Sequence, residues 1–331
     1  QRFSASSPEP CWREFEQQFG NFIPTGEQQQ DLGPMTAEQL WATLERMSTR
    51  TSTGADGWSV RDLRRLSWGL LQRLAELFDL VESSGNWPSA LRVGLIAPIM
   101  KAADGGLGAS NTRPITVMSC LYRLWAGSRM RQMIEWQEGW LSEEVASYRP
   151  AMGCEDVWFT EALLIEESLL TGEPLAGVNL DFMKAFDFLP HSVLFGLARH
   201  MGMCPRVLQG LEGIYAQLRR QFKFGSLVGS SFASSYGILQ GCPLSVLLLN
   251  MYVETWCRYI KHSVPDARPR GYADDIGATA SSAKSVLAVL RHTGIYAYVS
   301  GMRVSAPKSG VWATTQQLRM QLAHASVSGE K

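Results

Sequence analysis

Apolar and polar positions divide this chain into a polar opening stretch and a long series of amphipathic elements. Residues 1–34 are polar and glutamine-rich and predict a loose leader. A helix is expected from Thr36, because Thr36 and Gln39 have capping-box spacing and Leu40, Leu44 and Met47 recur on one face. Residues 48–57, full of Ser, Thr and Gly, predict a loop, and helical periodicity returns over 60–81. A short apolar run at 95–100 predicts a strand, 102–112 a flexible loop, and 119–140 a further helix. The run 175–182 reads as a buried strand that ends on an acidic residue. Helices follow at 192–201, 206–220, 244–259 and 285–299, with hairpins at 222–237 and 270–280. Strands and helices interleaved with hairpins in this way predict an α+β fold rather than a parallel sheet.

Composition narrows the class. Of 331 residues, 45% are hydrophobic and 19% charged, which allows a sizeable core and excludes global disorder. Lys plus Arg and Asp plus Glu each number 31, so any affinity for nucleic acid must come from local sites rather than bulk charge. The six cysteines form no CxxC pair and are not spaced with histidines as zinc ligands, which predicts buried thiols in a reducing compartment. The longest apolar stretch, 244–253, is interrupted by Asn250 and is too short to span a bilayer, so no membrane partner is expected. The first residue is Gln1, and an upstream start is expected.

Two acidic sites carry candidate chemistry. Asp181 ends the apolar run Val178-Asn179-Leu180, and Tyr272-Ala273-Asp274-Asp275 sits where a turn is expected. Carboxylates beside apolar residues at strand ends are costly unless they face solvent or bind a cation. Hard oxygen donors suit Mg²⁺, and a pair of such ions stabilises both oxygens of a phosphoryl transfer. Adjacent strand residues point to opposite faces, so Asp274 is assigned as the direct ligand and Asp275 as auxiliary. An isolated Asp-Asp is usually a solvated turn, and the wider pattern is what singles this one out.

Read in order, the chain carries Asp181-Phe182-Met183-Lys184-Ala185-Phe186-Asp187, then Gly237-Ile238-Leu239-Gln240-Gly241-Cys242-Pro243-Leu244-Ser245 with Asn250 beyond it, then Tyr272-Ala273-Asp274-Asp275. This series resembles the central palm motifs of reverse transcriptases, in particular those of non-LTR (LINE-type) retrotransposons. Lys101 and Arg113-Pro114-Ile115 resemble fingers motifs, and Gly54-Ala55-Asp56-Gly57 resembles an N-terminal motif of the non-LTR enzymes. Gly301-Met302-Arg303-Val304 and Lys308 resemble the motif that ends the palm. The chain departs from the pattern at Thr112, where an aromatic residue is usual, and in having no Gln over 148–153.

The resemblance implies a right-hand polymerase palm, an antiparallel sheet with helices, joined to mainly helical fingers, with the thumb absent or truncated. It divides the chain into a leader at 1–34, an N-terminal extension and fingers at 35–174, a palm at 175–312, and the start of a truncated thumb or a tail at 313–331. It implies RNA-directed DNA synthesis with two Mg²⁺ ions, or Mn²⁺, held by Asp181, Asp274, Asp275 and the backbone carbonyl of Phe182. Lys101, Arg113, Phe186, Gln240, Gly241 and Lys308 would contact the nucleotide, with Phe186 as an aromatic gate against the 2′-hydroxyl. Asp187 is expected to open a helix rather than bind metal. Arg123, Arg129, Arg131, Arg219, Arg220 and Lys223 are candidates for a phosphate-lined groove, with solvated helix faces as the equal alternative.

The implied partners are template RNA, primer DNA and dNTP, with an endonuclease domain in the full-length protein. The implied setting is intracellular, nucleus and cytoplasm in a eukaryote. A group II intron maturase-like enzyme, an RNA-dependent RNA polymerase and a degenerate RNA-binding fragment are the other readings.

Overall fold

The computed structural model describes residues 10–25, 30–101 and 111–325. Its first half contains α1 (Trp12–Phe19), α2 (Ala37–Leu44), α3 (Val60–Leu63), α4 (Trp68–Ser84), β1 (Val93–Met100), β2 (Thr112–Val117), α5 (Cys120–Gln132), α6 (Ile134–Trp140) and α7 (Cys154–Thr171). Then come β3 (Ala176–Asp181), α8 (Ala185–Phe188), α9 (His191–His200), α10 (Pro205–Gln217), β4 (Arg219–Phe224) and β5 (Leu227–Val228). The chain continues through α11 (Pro243–Ser263), β6 (Arg268–Tyr272), β7 (Asp275–Ala280), α12 (Ala283–Ser300), β8 (Gly310–Ala313) and α13 (Gln316–Ala323). No helix among the described residues is long and apolar enough to cross a membrane.

The chain divides into two compact units, each assembled from separated stretches. The first takes residues 1–26, 137–201 and 246–331, and the second residues 27–136 and 202–245.

The first unit is built on a sheet with strand order β6-β7-β3-β8. All of its pairings are antiparallel, as expected for 270–280. Alternate residues of a strand face opposite sides. The buried Val178 and Leu180 thus share one face of β3, and α12 packs against β3 and β7. The stretch expected to be a polar leader instead contributes α1. Its Phe15 and Phe19, one turn apart, are fully buried against Tyr296, with Phe15 also meeting Tyr252 and Phe19 meeting Tyr259. Two aromatic rings outweigh the polar composition around them, because each buries far more apolar area than a short side chain. Residues 102–110 of the predicted loop and part of the leader fall outside the described residues, while Thr112, expected in that loop, opens β2.

The second unit carries a sheet of order β2-β1-β4-β5. Here one pairing departs from the antiparallel expectation: β1 runs parallel to β4, with Val93 opposite Arg219. The helix at Thr36 forms with its capping box complete. The predicted 60–81 helix is split into α3 and α4. Arg64 follows α3 and turns its guanidinium onto the carbonyls of Leu44, Glu45 and Met47, which caps the end of α2. Ser67 then starts α4 by accepting from the Leu70 amide.

Several arginines proposed for a phosphate groove are structural. Arg129 is fully buried and paired with Glu82 at 2.5 Å, and the Trp125 indole donates to the same carboxylate at 2.8 Å. Arg123 donates to Thr51 and Ser52, Arg131 donates to the Ala42 carbonyl, and Arg220 is buried. The physical reason is that α5 lies inside the unit, so its long polar side chains must find protein acceptors. Only Arg219 and Lys223 of that set on β4 are exposed. All six cysteines are free thiols, but Cys11 and Cys154 are exposed rather than buried.

Candidate active site

In the first unit, β3 and β7 align so that Asp181 is the register partner of Asp275, with Leu180 opposite Ile276. Residues directly opposite in an antiparallel pair share a face, so the two carboxylates leave the sheet on the same side. Tyr272 pairs with Asp275, leaving Ala273 and Asp274 as the two-residue turn between β6 and β7. Ala273 adopts φ +55°, a left-handed conformation that a non-glycine residue takes only at a cost of about 1–2 kcal/mol. Lys184, just past β3, does the same at φ +51°. Both motif turns are therefore strained, and the surrounding hydrogen bonds hold them. The close approach of β7 to β3 needs Gly277, where an added Cβ would meet the Val178 carbonyl oxygen at 2.8 Å.

The segment after α12 closes over the end of β3. The Met183 amide donates to the Arg303 carbonyl at 2.7 Å and the Ser305 amide to the Asp181 carbonyl at 2.8 Å. The Phe182 amide reaches the Asp274 carbonyl at 3.3 Å, while its ring is buried. Lys308 Nζ donates to Asp181 Oδ2 at 2.8 Å. Asp181, the two motif aspartates and Lys308 thus meet at one sheet end.

The electrostatics follow. Burial, then the charges of Asp275 and Asp181, push Asp274 above the ordinary carboxylate range, and Lys308 partly offsets them. Asp275 is raised too, by desolvation first and then by Asp181. Lys308 is held above its usual value, chiefly by its hydrogen bond to Asp181. Among the described residues no group of three His, Cys, Asp or Glu side chains is gathered as a metal-binding cluster. The donor set nevertheless fits a hard divalent cation. It consists of carboxylates that repel one another, with an ammonium supplying the positive charge the sheet end requires.

Phe186 lies in α8, directly after the Lys184 turn, and its ring is only half buried. Asp187 is buried in the same short helix, where its amide donates to the Lys184 carbonyl at 2.8 Å.

The second unit gathers another set of the predicted residues. Arg113 pairs with Ile99 across β1 and β2 and is exposed. Lys101, also exposed, donates its amide to the Asn111 carbonyl where β1 and β2 lead into their connection. Gly241, at φ +101°, lies beside β2, within 3.8 Å of Ile115 and Thr116 as judged from an added Cβ. That φ is strained for any L side chain, so glycine fits here for conformational reasons. The turn is fixed by the Leu239 amide on the Tyr215 hydroxyl at 3.0 Å and by Ser245 Oγ on the Leu239 carbonyl at 2.8 Å. Gln240 precedes Gly241 and is half buried. The Gly54–Gly57 motif also belongs to this unit, where Asp56 accepts from the Ser119 hydroxyl at 2.6 Å beside the start of α5.

Sequence reasoning missed one support of the site. Ser309, which has no local pattern although it follows Lys308, accepts the Asp181 amide at 3.3 Å. Arg303, quoted in the Gly301–Val304 motif, lies over the Phe188 ring at 5.2 Å. Asn250 is a buried anchor: its side-chain nitrogen donates to the Ser147 carbonyl at 2.9 Å.

Comparison with known proteins agrees with this arrangement. Residues 99–321 match the family model described as reverse transcriptase (RNA-dependent DNA polymerase). The chain is 25% identical, over 83% of its length, to the transposon TX1 uncharacterized 149 kDa protein of Xenopus laevis. It is 24% identical over 90% of its length to the retrovirus-related Pol polyprotein from type-2 retrotransposable element R2DM of Drosophila melanogaster. A similar polyprotein, from type-1 retrotransposable element R2 of Bradysia coprophila, is 26% identical over 72% of the chain. The chain spans 22%, 29% and 28% of these proteins respectively. With the aspartates, the Gly241 turn and the Arg113 strand all inside the matched span, the chain belongs to the reverse transcriptase (RNA-dependent DNA polymerase) family.

Proposed function

We propose that the chain is the RNA-directed DNA polymerase domain of a non-LTR retrotransposon protein, extending a DNA primer on an RNA template from dNTPs. The observation that carries this reading is the alignment of Asp181 with Asp275, with Asp274 in the adjoining turn and Lys308 on Asp181. In the reaction the primer 3′-hydroxyl attacks the α-phosphorus of the dNTP, a P–O bond forms, and pyrophosphate leaves. Asp181, Asp274, Asp275 and the Phe182 carbonyl would hold two Mg²⁺ ions, or Mn²⁺, which when bound stabilise the attacking and leaving oxygens.

The remaining roles belong to the chain's own side chains. Lys308 neutralises charge on the departing pyrophosphate or donates a proton to it. Arg113 grips triphosphate oxygens through its planar fork, and Lys101 adds a point charge. The Phe186 ring excludes a 2′-hydroxyl by volume. Gln240 contacts the nucleotide or template, and Gly241 allows backbone to approach it closely. The partners are template RNA, primer DNA and dNTP, with an endonuclease domain in the longer protein. The setting is intracellular, in nucleus and cytoplasm if the host is a eukaryote.

The test is primer extension by the purified chain on an RNA template, with dNTP or NTP as the only substrate and with or without a chelator. Chelator-sensitive incorporation of dNTP in preference to NTP supports the reading. Preference for NTP transfers the chain to RNA synthesis, and metal-independent incorporation removes the assigned site.

A further inference from the structure

The β4–β5 hairpin of the second unit carries a feature that none of the assigned roles uses. Phe222 and Phe232 stack at 5.8 Å and 25°, and Phe222 and Phe224 at 6.4 Å and 21°. Phe222 and Phe224 are two apart on β4 and share a face, and the backbone bridge between Arg220 and Phe232 sets the third ring alongside. Leu227 is the register partner of Phe224, so it extends the same apolar face. Phe224 is 60% exposed and Leu227 74% exposed, which is costly for a surface with no occupant.

Charge decides between occupants. From Leu218 to Gly241 the chain contains Arg219, Arg220 and Lys223 and no acidic residue. Arg219 and Lys223 lie on the face of β4 opposite the rings and are exposed. A strand is thinner than the Debye length of about 8 Å at physiological salt, so these charges act across it on a bound polyanion. A row of near-parallel aromatic rings on a strand that carries cations on its other face, in a stretch without a carboxylate, matches the requirements of unpaired bases on a phosphate backbone.

We propose that the Phe222–Phe224–Phe232 face of this hairpin is a stacking platform for unpaired bases of single-stranded nucleic acid. The inference rests on the polymerase reading for the presence of such a strand. It adds a second contact area, distinct from the carboxylate site. Because every base has a π-face, the platform is tolerant of sequence, and it distinguishes bases from bare sugar-phosphate.

The test compares binding of the 331-residue chain to a labelled oligouridine and to an abasic ribose-phosphate strand of equal length. The wild type is expected to prefer the base-bearing strand. Phe224→Ala removes an exposed ring and leaves the core intact. It should weaken oligouridine binding about 5- to 150-fold, the range measured for one base–aromatic stack, and leave abasic binding unchanged. Phe224→Trp should restore the preference. Lys223→Gln should reduce the salt dependence for both strands while keeping the preference.

Equal affinities for the two strands in the wild type, or a Phe224→Ala chain that binds oligouridine as the wild type does, would overturn the platform and leave a protein partner as the occupant. Binding needs no chemistry, so extension scored separately on the same samples distinguishes the two failures. Phe224-dependent binding without extension refutes the polymerase reading alone, and extension without Phe224-dependent binding refutes the platform alone.

Discussion

Replacing Lys308 separates what its ion pair does for the fold from what it does for the reaction. Lys308 Nζ lies 2.8 Å from Asp181 Oδ2, but the lysine side chain is 65% exposed while the aspartate is 15% exposed. Solvent screens such a pair, so its contribution to stability is about 0.2–1 kcal/mol. Lys308→Ala should therefore shift the unfolding temperature by less than about 4 °C. The sign with pH also follows. The pair holds the lysine above its usual value, so the lysine's part of this stabilisation is complete at neutral pH and is lost in the alkaline range, as pH rises through the raised value.

In the reaction, the ammonium is assigned to the leaving pyrophosphate, where a positioned acid contributes about 10²- to 10⁴-fold. Lys308→Ala should thus lower the single-turnover rate of nucleotide addition by about 10²-fold or more, with stability nearly unchanged. Lys308→Arg keeps the charge but cannot donate a proton, since a guanidinium stays protonated. A large rate recovery in the arginine variant assigns charge neutralisation, and none assigns proton donation. A Lys308→Ala enzyme within about 3-fold of the wild type in rate refutes the transition-state role, because a general acid contributes far more than that.

Three other outcomes are expected. Asp274→Asn should abolish extension yet raise stability at neutral pH: burial holds the Asp274 carboxyl above the ordinary carboxylate range, so its ionisation weakens the fold, in full once pH has passed the raised value, and in denaturant titrations the variant's advantage should shrink as pH falls and vanish below the ordinary carboxylate range. Phe186→Val should admit ribonucleotides while keeping deoxynucleotide incorporation, read as a ratio of kcat/KM values, whereas a purely packing role would cost about 1–3 kcal/mol and leave the ratio unchanged. Glu82→Ala, which strands the fully buried Arg129, should destabilise by about 3–5 kcal/mol in chemical denaturation, and a loss under about 1 kcal/mol would mean that water or another acceptor replaces the carboxylate.

The site was more legible in the sequence than the architecture around it. Asp181, Asp274 and Asp275 stand at strand ends and in a two-residue turn, so a short apolar run and a tight acidic dipeptide place them locally. The capping box at Thr36 is local in the same way. Failures came where a long-range partner decides the outcome. Glu82 and Arg129 are far apart in sequence, and nothing in either neighbourhood marks them as a buried pair. The break between α3 and α4 depends on Arg64 finding the end of α2. The helix α7 showed no one-sided pattern: Trp158, Phe159, Leu163, Leu169 and Leu170 are all exposed, and Ser168 is buried instead. Alternation of adjacent strand residues assigns Asp275 the auxiliary role. The turn places Asp274 outside the strand and makes Asp275 the register partner of Asp181.

The most direct measurement is the single-turnover rate of dNTP addition to a DNA primer on an RNA template by Asp181→Asn, beside an Asp266→Asn control on the exposed loop before β6. Asp181→Asn should fold as the wild type does and lose extension by at least about 10³-fold, as expected when a carboxylate that fixes catalytic cations is neutralised. The control should extend normally. An Asp181→Asn chain that extends primers at the wild-type rate would contradict the assignment of the Asp181–Asp274–Asp275 cluster as the catalytic centre.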